Sequence, residues 1–381
     1  MGRQSAHVLE RIAEIAPTLD RTAAESERLR TLCREATEAM HAAGLFGMWV
    51  PRAAGGFDID LVTQVDAIVE LARADMSACW TLMIGNTVTA SMAASLPDQG
   101  FAEVFAGDRQ PVAAGSLKPS GRAERVAGGY RVMGQWGFGS GILHAEWIVA
   151  NCLIEDQGQT RGISLAVPIA EVDVHDDWHV AGLRGTGSCT YAVTDAFVPE
   201  RRALCTAQQR GSFFNANAGL RIPIEHAAVS LGGARRALDE TIRLSATKRR
   251  LWDSATVADK QAFRVELGRL EGQWTTLLAG VRASAADLEH AVELDGDFRG
   301  AAAKLKAVAA LAAEHCLAIG GRALRYAGAA AIQDDGVLQR VHRDLVAAAQ
   351  HVMVADSAYQ AYGDIVLGVG SDFRRGSRVG S

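Results

Sequence analysis

A β-rich segment lies between two long helical segments, and that order limits the folds open to this chain. Residues 5–107 place apolar side chains at helical spacing, as in "LRTLCREATEAMHAAGLFGMWV". From 108 to about 205 the pattern changes to short β-forming runs, such as "EWIVANCLI" and "CTYAVTDAFVP", with turn residues between them. Helical spacing then returns and continues to about 365. The sequence therefore predicts an α+β fold that is mostly α.

The change of pattern also predicts where the domains begin and end. We place an N-terminal α-helical domain at 1–107, a central β-domain at 108–210, a C-terminal four-helix bundle at 211–370 and a flexible tail at 371–381. Gly128–Gly129 separates two short runs and predicts a β-hairpin. The last bundle helix is predicted to run without a break through "VLQRVHRDLVAAAQHVMVADSAYQAYGDIVLG".

Composition excludes several classes of partner. The chain has a formal net charge of −5 at pH 7, so it offers no basic field for nucleic acid. Its six cysteines form no C-x-x-C pair and are typical of reduced thiols in a cytoplasm. No apolar run reaches the roughly 20 residues that cross a bilayer, and the charged start is unlike a cleavable signal. We predict a cytoplasmic protein that binds neither nucleic acid nor a membrane.

One histidine stands out in "HRDLVAAAQHVMV", residues 342–354, which is predicted as helix. Long helical side chains lean over the preceding turn, so His351 would lie above Ala347 and Ala348. Those side chains are too small to fill the space beside an imidazole. Two explanations stay open: a structural histidine bonded to Asp344 or to a carbonyl, or a functional imidazole beside a bound molecule.

Three stretches, in order, resemble the acyl-CoA dehydrogenase superfamily over nearly the whole chain. They are "GYRVMGQWGFGSGILHAEW" (129–147), "WHVAGLRGTGSCTYAVTDAFVP" (178–199) and "AIGGRALRYAG…LQRVHRDL" (318–345), the last of which resembles the family's Gly-Gly turn and Arg-Asp helix start. The resemblance implies the same three domains that the pattern predicts. It also implies a bound flavin.

The resemblance implies which residues line the flavin. Trp136 and Trp178 would shield the ring by stacking, and Ser140 and Ser188 would donate to its heteroatoms. Glycines in "GFGSG" and "GTGS" would let backbone N–H groups approach the ring edge and phosphate. A tryptophan in a hairpin is also a common core residue, and that alternative stays open. The predicted cofactor-binding residues are Trp136, Phe138, Gly139, Ser140, Trp178, Thr186, Ser188, Arg249, Gly320 and Gly321.

The carboxylate base of an acyl-CoA dehydrogenase is missing from both places where the family carries it. Counted from Arg343, the usual place falls on Val352, which has no proton to exchange. The other place falls at or near Ile222, with Glu225 one helical turn away. A dehydrogenase with Glu225 as a displaced base is therefore the second hypothesis. A non-catalytic flavin-binding oligomer is the third.

The stretches "RDLVAAAQH" and "WGFGSG" resemble the group D two-component flavin-dependent monooxygenases, the branch of 4-hydroxyphenylacetate hydroxylase and the dibenzothiophene monooxygenases. This resemblance implies an oxygenase component that receives diffusible reduced FAD or FMN from a separate NAD(P)H-dependent flavin reductase. It would use O2, through a C4a-hydroperoxyflavin, to oxygenate an aromatic or heteroatom-containing small molecule. His351 would donate a proton or hydrogen bond, a task suited to a pKa near neutrality. This is the leading hypothesis.

Two departures from that branch affect the expected chemistry. Asn86 occupies the place of a histidine that holds a phenol hydroxyl, and an amide cannot exchange a proton at neutral pH, so a phenol substrate is in doubt. "KRR" (248–250) keeps the charge of a phosphate-binding arginine without the following phenylalanine, so a loosely held flavin is expected and FMN and FAD stay open. The predicted catalytic residues are His351, Ser140 and Asn86.

Two further predictions concern metals and assembly. His175 and His179 lie in turn-and-strand sequence, where i and i+4 do not share a face, so no metal site is expected. "AAAKLKAVAALAAEHCLAIGG" has few polar residues on any face. We therefore predict that this helix packs against another subunit of a homotetramer.

Overall fold

The computed structural model describes residues 3–156, 158–205, 208–294 and 296–369, and the predicted tail at 371–381 lies outside them. By internal contacts the chain divides into two units, Met1–Gly219 and Leu220–Ser381. The predicted first and second domains thus fall together in unit 1. The described residues are mostly helical, with one sheet in unit 1, which confirms the predicted fold class.

Unit 1 is built on a nearly apolar helix, α4. Asp75 caps it by accepting a hydrogen bond from the Ser77 N–H. Almost all of its residues are buried, as expected for a helix with polar groups on no particular face. The helices of unit 1 are α1 (Arg3–Leu29), α2 (Arg34–Ala42), α3 (Leu61–Ala74), α4 (Met76–Ser95), α5 (Asp98–Val104) and α6 (Phe213–Ala216).

The sheet of unit 1 has the order β1-β4-β2-β3-β7-β6, with β5 paired to β4. β2 and β3 form an antiparallel hairpin in which Val126 pairs with Gly129, which confirms the predicted turn. Gly128 adopts φ +81°, a conformation that glycine reaches without strain. The strands are β1 (Ala113–Gly115), β2 (Gly121–Val126), β3 (Gly129–Gly139), β4 (Trp147–Asp156), β5 (Gln159–Pro168), β6 (Asp173–Val174) and β7 (Cys189–Pro199).

Unit 2 is helical, and its central helix is α9, which packs on the other four helices described there. These contacts cover part of the apolar surface of α9, because half of its most apolar window is buried and Leu311 is 41% exposed. α9 also has the length and hydropathy of a membrane span, as core helices can have. Its packing against another subunit stays a prediction. The helices are α7 (Ile222–Ser245), α8 (Gln261–Glu293), α9 (Arg299–Ala327), α10 (Val337–Ala348) and α11 (Ser357–Val366).

The predicted last helix is broken, and that prediction was wrong. α10 ends at Ala348, and a 3-10 turn at Val352–Val354 separates it from α11. His351 has an extended backbone (φ −72°, ψ 135°), and its Nδ1 accepts the Met353 N–H at 3.3 Å. The imidazole thus caps the 3-10 turn, and His351 does not continue the helix that contains Ala347 and Ala348.

Candidate active site

A bulge in β3 exposes a phenylalanine in unit 1. Between Trp136 and Gly139, β3 contains one residue more than the β7 segment paired with it. Phe138 lies in this bulge with φ +61°, and 76% of it is exposed. A left-handed backbone costs a residue with a side chain roughly 1–2 kcal/mol, and strain of this kind is concentrated at functional sites. The fold thus holds an aromatic ring outside the core at some cost.

Trp178 forms the second side of this aromatic corner, which we define as Phe138 and Trp178. Their ring centroids are 6.2 Å apart and the planes meet at 83°, an edge-to-face arrangement. The Trp178 indole is half-buried, and its Nε1–H donates to the Leu183 carbonyl at 3.3 Å. The corner therefore has one anchored ring and one exposed ring, a surface suited to a planar ligand.

Three buried hydroxyls lie behind the corner in a directed chain. The Thr186 hydroxyl donates to the Leu183 carbonyl at 2.8 Å, because a carbonyl can only accept. Thr186 Oγ1 then accepts from Ser188 at 2.7 Å, and Ser188 accepts from Ser140 at 2.8 Å. Ser140 in turn accepts the Trp80 indole N–H at 3.1 Å. Each hydroxyl proton is therefore donated within the chain, which ends at the Leu183 carbonyl.

This chain corrects the predicted role of two serines. Ser140 and Ser188 are 6% and 4% exposed, and each uses its single proton within the chain. While the chain is intact, they can offer a ligand only lone pairs and cannot donate to it. Thr186 is 1% exposed and fixes the chain to the Leu183 carbonyl.

Ser140→Ala is expected to lower the free energy of unfolding by about 1–3 kcal/mol. The reason is that the Trp80 indole, itself 7% exposed, would lose the Ser140 oxygen that accepts its N–H. Urea unfolding measures the change. Ser120→Ala, at an exposed position of the same unit, should stay within about 0.5 kcal/mol of wild type. Equal effects of the two substitutions would contradict the directed chain.

Trp136, predicted to stack on the flavin, lies in the core. It is 1% exposed, stacks on Tyr191 with centroids 5.5 Å apart, and donates Nε1–H to the Asn151 carbonyl at 2.9 Å. The open alternative of a core tryptophan is therefore correct. Gly139 is required by the same packing, because a Cβ there would lie 2.7 Å from the Tyr191 ring.

Asn86, predicted as catalytic, is also structural. It is fully buried, and its amide nitrogen donates to the carbonyls of Leu45 (2.8 Å) and Leu82 (3.0 Å). Its Oδ1 accepts the Trp49 N–H at 3.3 Å. The amide ties α4 to the turn at Leu45–Gly47, so it cannot hold a substrate hydroxyl.

In unit 2, His351 stacks on a second histidine that the sequence analysis did not single out. The ring centroids of His351 and His226 are 3.8 Å apart and the planes differ by 24°. His226 is 1% exposed on α7, and its Nδ1 lies 2.9 Å from the Ile222 carbonyl. We call these two residues the histidine pair. The sequence contained no signal for it beyond a histidine in an apolar helical segment.

Hydrogen-bond partners fix the tautomers of the histidine pair. The Ile222 carbonyl can only accept, so His226 carries its proton on Nδ1. His351 Nδ1 accepts the Met353 N–H, so the neutral ring carries its proton on Nε2. Burial lowers the pKa of His351 to about 4, and burial with the nearby His351 charge lowers the pKa of His226 to about 3. The predicted near-neutral pKa of His351 was wrong.

Below neutrality, the histidine pair is expected to make stability depend on pH. The folded-state pKa of His226 is depressed from 6.5, so the unfolded chain takes up a proton first as the pH falls. Stability is therefore lost between about pH 6.5 and pH 3, with a slope of up to about 1.4 kcal/mol per pH unit from His226. His226→Phe should reduce this slope in urea unfolding measured from pH 4 to 8. An unchanged slope would show that His226 ionises equally in both states.

Glu225, the possible displaced base, is buried in an ion pair. Its Oε1 lies 2.7 Å from Arg221 Nε, and both side chains are 1% exposed. Val352, at the other place for the base, is 68% exposed and has no ionisable group. Neither place presents an exposed carboxylate.

Three other predicted cofactor residues lie in unit 2. Gly320 and Gly321 lie within α9, so the predicted Gly-Gly turn was wrong. A Cβ on Gly320 would lie 2.4 Å from Leu345, so this glycine permits close packing of α10 on α9. Gly321 is half-buried beside His342. Arg249 is exposed in the connection between α7 and α8, and its role in phosphate binding stays a prediction.

Comparison with protein-family models decides the family. The acyl-CoA dehydrogenase N-terminal domain model matches residues 8–97, and the acyl-CoA dehydrogenase C-terminal domain model matches 224–356. The two matches together cover more than half of the chain. The chain belongs to the acyl-CoA dehydrogenase superfamily. The predicted family is thereby confirmed, and of the three quoted stretches 318–345 lies within a matched range.

Several proteins that this chain resembles are named as hydroxylases or flavin-dependent monooxygenases. The oxygenase component of FADH2-dependent resorcinol hydroxylase from Rhizobium sp. (strain MTP-10005) is 28% identical over 74% of this chain and 70% of its own length. XiaF from Streptomyces sp., solved with FADH2 and glycerol, has a TM-score of 0.88 and 26% identity, with 96% of each chain covered. The 3-HSA hydroxylase of Rhodococcus sp. RHA1 has a TM-score of 0.87 and 25% identity, with 95% of this chain and 97% of that chain covered.

Proposed function

We infer that this superfamily member is the oxygenase component of a flavin-dependent monooxygenase, an oxidoreductase that acts on a small molecule. One observation carries the choice of reaction. Neither place for a dehydrogenase base offers an exposed carboxylate, because Val352 occupies one and Glu225 is buried with Arg221 at the other. Relatives that span most of the chain are named as monooxygenases or hydroxylases, which supports the same class.

The residues of unit 1 fit a flavin. Phe138 and Trp178 present an apolar corner that a planar ring would cover, excluding water from one side of it. Behind the corner, Ser140 presents a lone pair and no proton, because its proton is held by Ser188. Such an oxygen can accept from an N–H of a ligand. Reduced flavin, when bound, supplies the two electrons with which O2 is activated.

In unit 2, His351 is the residue that we assign to the oxygenation step. Its ring is neutral at physiological pH, since burial depresses its pKa to about 4. Its Nε2–H is consequently a hydrogen-bond donor rather than a ready source of protons. We propose that this donor stabilises negative charge that develops during oxygen activation. The proton itself then has to come from solvent or substrate.

The substrate that we propose is an aromatic small molecule, and phenols are included. Asn86 is committed to the core, so a phenol hydroxyl would have to be held by another residue. The support for phenols is the name of one relative, a resorcinol hydroxylase, and resorcinol is the first compound to test. We also propose that a separate NAD(P)H-dependent reductase supplies the flavin, and that the protein is cytoplasmic, with its six cysteines as free thiols.

The proposed function is tested with purified protein and chemically reduced flavin. FADH2 or FMNH2 is mixed with protein under anaerobic conditions, and oxygenated buffer containing resorcinol or indole follows. We expect oxygenated product by mass spectrometry and less hydrogen peroxide than flavin alone releases. The comparison assay contains oxidised flavin and octanoyl-CoA without O2. Flavin reduction by the acyl-CoA, with no oxygenated product in the first assay, would support the dehydrogenase instead.

Assembly into a homotetramer is proposed from a loop of unit 2. Leu251 and Trp252, between α7 and α8, are 81% and 95% exposed, and Trp252 has φ +67°. Trp252→Gly removes the apolar surface and relieves the backbone, so it should weaken assembly without lowering the stability of the fold. Light scattering at micromolar concentration should show a tetramer for wild type and smaller species for the variant. A wild-type monomer, or an unchanged variant, would contradict this prediction.

A further inference from the structure

His226 is in face-to-face contact with the residue that we assign to oxygenation, yet it has little access to solvent. Its ring lies 3.8 Å from that of His351, centroid to centroid, and the planes are nearly parallel. Because His226 is only 1% exposed, a bound molecule does not reach it directly in this conformation. Any effect of His226 on the reaction therefore passes through His351.

Separate bonds hold the two rings. His226 Nδ1–H donates to the Ile222 carbonyl at 2.9 Å, which anchors the ring to the preceding turn of α7. His351 Nδ1 accepts the Met353 N–H at 3.3 Å, which anchors one edge of the second ring. The flat face of His226 packs against the face of the His351 ring and thereby restricts how far that ring can tilt.

We propose that His226 is the positioning residue of His351. Its anchored ring is the surface against which the His351 ring is held, so that the Nε2–H points in one direction as a hydrogen-bond donor. Orientation of this kind matters because a small misplacement of a catalytic group can cost about 10²-fold in rate. The assignment rests on the proposed function for the reaction that His351 serves, but the geometry can be tested without flavin.

Three variants of His226 distinguish an effect of its planar ring from an effect of side-chain volume alone. His226→Phe keeps a flat ring but loses the bond to the Ile222 carbonyl. His226→Leu fills volume without a flat face, and His226→Ala leaves a cavity. His315→Ala is the matched control, because His315 is an exposed histidine on α9 of the same unit. Circular dichroism first establishes which variants fold, and the Phe and Leu pair suffices if the alanine variant does not.

The first readout is the ¹⁵N spectrum of histidine rings in the flavin-free protein. Wild type should show one His351 signal with its proton on Nε2, assigned by its loss in His351→Asn. That signal should persist in His226→Phe and His315→Ala, and should broaden or shift toward tautomer averaging in His226→Leu. An unchanged His351 signal in His226→Leu would overturn the proposal.

The second readout is turnover with reduced flavin, O2 and resorcinol. His226→Leu should lower kcat for product formation by about 10- to 100-fold, with little change in KM. The kcat of His226→Phe should lie much closer to that of wild type. Equal activities of the Leu and Phe variants would overturn the positioning role, even if the spectra behaved as expected. Wild type that makes no product from any aromatic compound would overturn the proposed function, while the ¹⁵N result would still report on the geometry of the pair.

Discussion

Replacing His351 by alanine is expected to lower the rate of product formation by about 10²- to 10³-fold, the usual effect of removing one donor to developing negative charge. Hydrogen peroxide release should rise by a matching fraction, because reduced flavin would still react with O2. The fold should survive. The lost cap on the 3-10 turn costs about 0.5–2 kcal/mol, and the lost stacking on His226 costs about 0.5–1.5 kcal/mol. Product and peroxide are measured together in single turnovers with reduced flavin.

The neutral protonation state of His351 also predicts the activity of a conservative substitution. A neutral ring that donates from Nε2 can be partly replaced by another N–H donor, so His351→Asn should fall between alanine and wild type. If His351 had to give up a proton, asparagine would be as poor as alanine. Gln350→Ala, at the exposed neighbouring position, is the control for local disturbance. Normal oxygenation by folded His351→Ala would show that the residue is structural.

The order of the domains could be predicted because it follows from local patterns. Helical spacing in the first and last segments and the turn at Gly128–Gly129 are properties of neighbouring residues, and the structure reproduces them. The flavin chemistry was predicted from the family resemblance. The spacing of apolar residues contains no information about a cofactor. Both kinds of inference depended on residues close together in sequence.

The break after α10 could not be predicted, because its main contact comes from another helix. Local spacing in "AAAQHVMV" continues the helix. In the structure, His351 leaves that path to cap Met353 and to stack on His226 of α7. Tertiary contacts of this kind commonly override helix propensity. The role of His351 in catalysis stays a prediction, whereas the unbroken helix predicted around it was wrong.

Trp136 and Phe138 show a second limit of the sequence. Side chains of a strand alternate between its faces, so a single extra residue changes which face each following side chain occupies. The bulge in β3 lies between these two aromatics, and nothing in "WGFGSG" gives its position. Either ring could have been the exposed one. The structure places the tryptophan in the core and exposes the phenylalanine.

Phe138→Gly is expected to stabilise the fold and at the same time to weaken flavin binding. Glycine accepts φ +61° without the roughly 1–2 kcal/mol that a side chain costs there, but it loses about 0.5–1 kcal/mol through the freer unfolded chain. The free energy of unfolding should therefore stay equal or rise by up to about 1.5 kcal/mol. Loss of the exposed ring removes about 2–3 kcal/mol of contact with a bound flavin, a 30- to 150-fold weaker Kd for reduced flavin.

The opposite signs of these two effects distinguish a binding residue from a folding residue. Urea unfolding without flavin gives the stability, and anaerobic titration with FADH2 and FMNH2 gives the affinity. Phe197→Ala is the matched control, since Phe197 is 47% exposed on β7 of the same sheet and lies on ordinary extended backbone. It should change neither quantity by much. If Phe138→Gly destabilises the protein and leaves the affinity unchanged, the strained ring serves packing, and the flavin has to be held by other residues.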